Sequence, residues 1–409
     1  MPPSPTGDQP YLKHLNRARV LHLLRTHPGL SRAELAARSG LTKVTVGSLV
    51  TELLGGGWLS EGQPRAGAAG RPGRELHLGD HRHVLLGAEI GVLGARAVAT
   101  TLRGTVLARA QTRTPTTTPH AAAQTITQLC GQLLQDPATQ GRDLLGLGVA
   151  LPGPVSPDGT RVLYAPNLGW DDVPFLDLLR AAPGLPPHLP PDAITLDNEA
   201  NAAAFGESFL RPGDPPQLLA YVSLGSGVGA GFTALSGTPH VLRGARGLAG
   251  EIGHAIIQPG GLYCHCGNRG CVETLLSGWA IRAALNLNVQ DPLDEVLAPR
   301  LREAAVQVTL RRAGEGLGQL LVNLHQTLGP DEIVIGGALT RLGDAVLGPA
   351  LDVYHARQWR PAAPPARITV RQDSLYLPAL GAAAQVLSRV IDTPAPQTPP
   401  APVPPQEMP

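Results

Sequence analysis

The sequence predicts an α/β protein in two parts, a small helical, winged head over residues 11–80 and a β-rich α/β body over residues 81–392. Three observations carry that reading. Residues 16–54 repeat apolar side chains at helical spacing between cap and glycine signals. From residue 84 short apolar runs alternate with amphipathic stretches, with glycines at several strand ends. The charge divides as well: residues 1–85 carry eleven Lys/Arg against six Asp/Glu (+5) and the remainder 22 against 26 (−4), although the 409-residue chain nets only +1. A basic head on a mildly acidic body points to a polyanion met by the head alone.

Residues 1–10 are Pro-rich, and residues 393–409 (TPAPQTPPAPVPPQEMP) form a polyproline-like tail; both are expected to be disordered, since neither offers a core. MPPSPTGDQP has neither the charged nor the apolar region of a secretory leader. The longest uncharged run, LLAYVSLGSGVGAGFTAL (218–235), approaches membrane-spanning length, but Gly225, Gly227, Gly229 and Gly231 break it as a loop would. The expectation is a soluble, cytoplasmic chain without a membrane partner, its core aliphatic because aromatics make up only 3% of residues.

In the head, NRARVLHLLRTHPG places Val20, Leu21, Leu23 and Leu24 on one helical face and stops at Pro28-Gly29. A second helix opens at SRAE, where Ser31 caps and Glu34 reaches back, and it ends at Ser39-Gly40. The third, capped by Thr42, buries Val46, Leu49, Val50 and Leu53. Its other face, Lys43, Val44, Thr45, Gly47 and Ser48, is short-chained and carries no acid, as reading a major groove requires. Gly47 costs about 1 kcal/mol of helix propensity, which close approach to a partner would explain. Two extended segments around a Gly-rich loop with Arg65, Arg71 and Arg74 complete a winged helix-turn-helix, its arginines near phosphate or minor groove. The candidate DNA contacts are Ser31, Thr42, Lys43, Val44, Thr45, Ser48, Arg71 and Arg74. A three-helix packing module with a loose linker is the alternative.

In the body, VLLGAEIGVLGARAVATTLRGTVLARAQTRT reads as a hairpin-rich sheet start, AAAQTITQLCGQLLQ as a helix and LLGLGVALPG as a buried strand. AITLDNEANAAAFGESFL is a strand entering a helix, QLLAYVSLGSGVGAGFTAL a hairpin, and DEIVIGGAL a strand ending in a Gly turn. Glycine turns at strand ends are where open sheets bind ligands.

Three of the four cysteines fall within eight residues. His254, Cys264, Cys266 and Cys271 give H-x9-C-x-C-x4-C, four ligands that complete a tetrahedron and leave no open position, the pattern of structural zinc. Gly260, Gly261, Gly267 and Gly270 allow the tight turns. His265 is the competing histidine, pointed away by the cysteines on either side. Cys130 stands alone on an apolar helix as a core residue.

GEIGHAIIQPGGLYCHCGNRGCVE, with GVALPGPVSPDG, APNLGWDDVPF, DNEANAAAFGE and SLGSGVGAGF, resembles the ROK family of repressors, open reading frames and sugar kinases, and GRPGREL resembles the wing of its regulators. The resemblance runs over roughly residues 16–392. It implies a two-lobed actin-like or hexokinase-like (ribonuclease H-like) ATPase fold, divided near residue 200, with a C-terminal helix returning to the first lobe. It also implies a dimer or tetramer, a sugar between the lobes, and a zinc ion that orders a loop and takes no part in chemistry. By position, Glu251, His254 and Glu273 would contact sugar hydroxyls, His254 using its other ring nitrogen on zinc. Asn198, Gly153 and Asn167 are the further candidates.

The family's kinases carry D-x-G-G-T after the first strand and an N-D-A-N base. Here the segments are Glu89-Ile90-Gly91-Val92-Leu93-Gly94 and Asn198-Glu199-Ala200-Asn201. Val92 and Leu93 obstruct the phosphate turn. The added methylene of Glu199 moves its carboxylate about 1 Å, a displacement that costs on the order of a hundredfold in rate. The reading is therefore a non-enzymatic, sugar-responsive repressor of carbohydrate genes, without ATP, acting on a palindromic operator and answering to a sugar or sugar phosphate. An active ATP-dependent sugar kinase fused to a DNA reader is the alternative, and a ligand-free scaffold a third. The N-E-A-N segment is similar to xylose-responsive members.

Overall fold

The first helix, α1 (Gln9–Thr26), starts well before the Asn16 suggested by apolar spacing, so Gln9 and Pro10 are helical and not part of a disordered leader. Proline is tolerated in a first turn, and the extra turns bury His14 and Ala18 beside a distant C-terminal helix. This computed structural model describes residues 9–64, 73–114, 118–187, 189–288, 291–357 and 364–393. The first eight residues, the wing tip with Arg65 and Arg71, and the proline-rich tail from Pro394 onward lie outside the described residues.

α2 (Arg32–Ser39) begins with the capping box read from SRAE: the Ser31 hydroxyl accepts from the Glu34 amide, and the Glu34 carboxylate accepts from the Ser31 amide at 2.8 Å. Gly40, with φ of 68°, ends it in the left-handed conformation. α3 (Lys43–Gly55) starts at the Thr42 cap and buries Val46, Leu49, Val50 and Leu53. β1 (Leu59–Pro64) and β2 (Arg74–Leu78) pair antiparallel, Leu59 opposite Leu78.

The body repeats one topology twice. β3 (His83–Gly91), β4 (Gly94–Thr100) and β5 (Val106–Thr112) form an antiparallel meander, and β6 (Asp143–Leu151) and β9 (Ile194–Asn198) extend it in parallel on the other side of β3, giving the order β5-β4-β3-β6-β9. α4 (Pro119–Gln135) covers this sheet, and a small hairpin, β7 (Val162–Ala165) and β8 (Trp170–Val173), leads to α5 (Phe175–Ala181). After α6 (Glu199–Phe209), β10 (Leu218–Leu224), β11 (Val228–Ser236) and β12 (Thr238–Val241) form the second meander; β13 (Glu332–Gly336) and β14 (Arg367–Val370) extend it in the order β12-β11-β10-β13-β14. The short helices α7 (Glu273–Leu276), α8 (Gly278–Leu285) and α9 (Leu293–Leu297) join α10 (Ala304–Leu328) and α11 (Asp344–Ala356) in the second core. Two five-stranded α/β lobes of this order make an actin-like fold.

α6 and α12 (Leu377–Asp392) cross between the lobes. Ala200, Ala203 and Ala204 of α6 pack on Leu219, Tyr221 and Val334 of the second sheet, and Ala202 packs on Ala150 and Ala382. The crossing needs glycine: a Cβ on Gly381 would stand 1.7 Å from the Ala202 carbonyl oxygen. Gly231 meets the same limit, 2.1 Å from the Ala200 carbonyl oxygen. Gly229 and Gly231 therefore lie within β11, where a helix backbone approaches, and not in the loop their spacing suggested.

The head shares a core with this crossing. Leu21, Leu24 and Leu76 pack in one cluster with Leu85, Phe209, Leu387 and Ile391. Arg25 donates to the Phe209 carbonyl, and its guanidinium sits 4.1 Å over that ring. His14 donates to the Asp392 carbonyl at 3.0 Å, and His22 lies 2.7 Å from the Asp392 carboxylate. The C-terminal ends of α6 and α12 are thus both seated against α1. No described helix is long and apolar enough to cross a membrane.

Candidate functional site

Between the lobes, at the C-terminal ends of β3, β6, β9 and β10, lies a cavity of about 410 Å³. It is lined by the β3–β4 turn with Glu89, Val92 and Leu93, by Gly153 and Asn167, by Asn198 and Glu199, by Gly225–Gly229, and by Glu251, His254 and Glu273. Every sugar-contact candidate read from the sequence borders this one space.

Their side chains are not equally free. Asn198 is the N-cap of α6: its Oδ1 accepts from Ala200 N at 2.8 Å and Asn201 N at 3.2 Å, and its Nδ2 donates to the Gly153 carbonyl at 3.1 Å. Gly153 has φ of +82°, and a Cβ there would strike the Tyr164 carbonyl oxygen at 2.0 Å. Asn167 meets His265 Nδ1 at 3.3 Å, and His265 stacks on Trp279. Glu273, buried, accepts from Val228 N at 2.8 Å and from Trp279 Nε1 at 3.4 Å, so it braces the β10–β11 turn while bordering the cavity. Glu251 is half-buried, 3.9 Å from His254 Nε2.

Four carboxyl groups, Glu89, Glu199, Glu251 and Glu273, converge here, with Arg96 as the guanidinium among the lining residues, 3.4 Å from Glu89 on the facing strand. Burial and the neighbouring carboxylates push Glu199 up to about 8. Burial raises Glu89 against the pull of Arg96, and it raises Glu251 against the pull of His254. At neutral pH Glu199 therefore keeps its proton and can donate a hydrogen bond, which an ionised base could not do. The folded chain holds this proton up to about pH 8, whereas an unfolded glutamate releases it near 4.5, so the folded state loses stability as pH rises through that window. Glu199→Gln is expected to gain apparent Tm over the native side chain by about 1–2 °C per pH unit from pH 5 to 8, then level off. Thermal melts across pH check this; a pH-independent difference would mean that Glu199 titrates normally.

Beside the cavity stand His254, Cys264, Cys266 and Cys271, whose ligand atoms all lie within 4.8 Å of one another. His254 Nδ1 is 3.6 Å from Cys264 Sγ, and Cys266 Sγ is 3.7 Å from Cys271 Sγ. The four could hold a metal ion, with His254 Nε2 left for the cavity side. His265 turns to Asn167 and stays out of the set. Cys130 is a buried core thiol, pushed up to about 12 by burial.

On the head, Lys43, Val44 and Ser48 are exposed along α3, Val44 to 83%. Thr45 is part-buried and donates its amide to the Thr42 hydroxyl at 3.1 Å; the Ser31 hydroxyl is likewise held in its capping box. Arg74 lies 3.4 Å from Glu61, which also takes Arg32 at 2.8 Å. Arg71 falls outside the described residues. Sequence reading missed the Glu89–Arg96 pairing, which needs the strand register, and it missed Asp197, buried beneath the cavity, although its block was singled out.

The ROK family model matches residues 85–389, and a MarR family model matches residues 14–68. The xylose repressor of Bacillus subtilis (strain 168) is 25% identical, over 94% of this chain and 98% of its own length. Among solved structures, a ROK family transcriptional regulator described as a homologue of the E. coli MLC protein superposes with a TM-score of 0.72 at 21% identity, covering 93% of this chain and 98% of that one. A ROK family glucokinase from Streptomyces griseus, in complex with glucose and AMPPNP, is 26% identical with a TM-score of 0.59, over 74% of this chain and 98% of its own. A regulator and a glucokinase thus share the fold of the body, and this chain, with a MarR-type head before its ROK domain, belongs to the ROK family.

Proposed function

We propose that the protein is a sugar-responsive transcriptional repressor in which a sugar held between the lobes alters DNA binding by the head. The observation that carries this reading is α6, whose N-terminal residues Asn198 and Glu199 border the cavity and whose last residue, Phe209, lies under Arg25 of the head. A ligand that favours one lobe arrangement can shift the head through a rigid connection of this kind. The similarity to the B. subtilis xylose repressor over nearly its whole length supports the same reading.

In the head, the exposed face of α3 supports entry into a major groove, with Lys43 and Ser48 toward phosphate and Val44 toward a thymine methyl. A Cβ built on Gly47 meets nothing within 4 Å, so no contact inside the chain requires a glycine there, and close approach to DNA accounts for it. A dimer or tetramer would set two heads on a palindromic operator. Sugar hydroxyls would meet Glu251, His254, Glu273 and the protonated Glu199, with Asn167 and the Asn198–Gly153 corner closing the pocket. A site of this acidity suits a polyol sensor.

The metal we assign to the thiol cluster is structural zinc. Zn–S bonds of about 2.3 Å and a Zn–N bond of about 2.0 Å give tetrahedral edges of about 3.8 Å between sulfurs and about 3.5 Å between nitrogen and sulfur. The separations of 3.7 Å and 3.6 Å fit those edges. Such an ion would supply order to the 254–271 loop and no Lewis acid, because all four positions are filled by protein.

Phosphoryl transfer is disfavoured by three residues: Glu199 holds a proton where a base must accept one, and Val92 and Leu93 border the cavity where a phosphate would need glycine and threonine. The likeness to the S. griseus glucokinase keeps an ATP-dependent sugar kinase as the second reading. A mobility shift of zinc-loaded protein on DNA upstream of its own gene, with free and phosphorylated sugars and no ATP, tests the proposal. One sugar changing a specific shift is the expected result. ADP release with a sugar, and no sugar effect on DNA, would replace the repressor with the kinase.

A further inference from the structure

Asp197 precedes the two cavity residues Asn198 and Glu199, yet it is absent from the cavity wall and is almost wholly buried. Its carboxylate collects four donors from three separate parts of the chain. Asn198 N at 2.9 Å and Asn201 Nδ2 at 3.2 Å come from the start of α6, Gln385 Nε2 at 2.6 Å from α12, and the Arg243 guanidinium from the second lobe. Arg243 follows β12 in the loop that runs directly to Glu251 and His254. That loop is a compact unit: Ala249 N donates to the Arg243 carbonyl at 3.1 Å, Leu242 N to Phe232, and Ala230 N to the Gly250 carbonyl. The ion pair therefore joins the α6 side of the sugar site to the loop that presents its second-lobe side.

We infer that the Asp197–Arg243 pair is a positioning strut between the two halves of the sugar site, fixing the distance from Asn198 and Glu199 to Glu251 and His254. It passes movement of the second-lobe loop to α6, and through α6 to the head. The inference rests on the repressor reading and adds the residues that convey its signal. A buried carboxylate needs its cation, and Arg243, being half-exposed, is the partner to change: R243Q leaves Asp197 with three uncharged donors, a loss of stability that the thermal melt reads separately from the sugar response. Neither residue borders the cavity or belongs to the thiol cluster.

The test compares the wild type, Arg243→Gln and Arg243→Lys as full-length, zinc-loaded proteins. Operator affinity is measured with and without D-xylose, D-glucose, N-acetylglucosamine and their phosphate esters, alongside zinc content and thermal melts. A sugar that changes wild-type operator affinity by about tenfold, a typical coupling, is expected to change that of R243Q by less than about twofold, with R243K between. Operator affinity without sugar and zinc content stay at wild-type values. A residue that merely stabilises the fold would lower the melt without touching this ratio. R243Q responding like the wild type overturns the strut, and so does loss of zinc or of sugar-free operator binding. A wild type that answers none of these sugars overturns the repressor reading, and the strut with it, and is distinguished because it appears before any substitution.

Discussion

Cys264→Ser is expected to cut the zinc proposed for the cluster to less than about a tenth of the wild-type content, and to weaken the proposed sugar binding on the order of a hundredfold. The loop from Glu251 to Val272 carries little regular structure, and apart from the cluster it is held by hydrogen bonds within itself, such as Ile257 N to the Gly270 carbonyl at 3.0 Å and Cys264 N to the Asn268 carbonyl at 2.8 Å. Its regular structure is one 3-10 turn at Ile252–His254 and two isolated bridges, Ile256 with Cys271 and Tyr263 with Arg269. With the cluster broken, His254 loses its second fixed point, and Glu251 moves with it. The head meets the body at α6, α12 and the base of β3, away from this loop, so operator binding without sugar should persist within about threefold. Metal analysis, sugar titration and a mobility shift on the same preparation separate the effects. A variant that loses zinc yet keeps wild-type sugar affinity would show that the loop is self-supporting.

The second large effect is expected at Val44. Val44→Glu places a carboxylate at the most exposed apolar residue of α3, which packs little of its surface inside the chain. Folding should be unchanged within about 0.5 kcal/mol. Operator affinity should fall at least about a hundredfold, because the carboxylate would enter the negative potential of the groove and lose the methyl contact. Equal affinity for V44E and wild type would mean that α3 does not face the DNA. The melt of V44E guards against misfolding as the cause.

What could be read from the sequence was local. Ser31 and Glu34 lie three residues apart, Thr42 caps the next helix, and the cysteines converge within one loop, so each announces itself within a short window. The features that escaped depend on partners far along the chain. α1 extends to Gln9 over turns in which His14 meets Asp392, 378 residues later. Gly229 and Gly231 look like loop residues until α6 is seen against β11. Glu89 and Arg96 become a pair only once the β3–β4 register is set, and the joining of Asp197 to Arg243 needs both lobes folded. The cavity-lining set was legible as a list; that Asn198 and Glu273 also serve as cap and brace was not, since those bonds are made to backbone amides that the sequence does not mark.

The short passage from head to body has a consequence for the DNA. Only Gly79–Arg82 separate β2 from β3, and they are pinned: Gly79 N donates to the Trp58 carbonyl at 2.7 Å, Arg82 pairs with Asp143 at 2.9 Å, and His83 holds Gly56. A head mounted this way cannot swivel to find its half-site. In an assembly the angular phase between two half-sites would be dictated by the protein, so five inserted base pairs, about half a turn, would rotate one half-site to the far side of the duplex. A tethered head would tolerate that insertion; this one would have to twist the DNA instead.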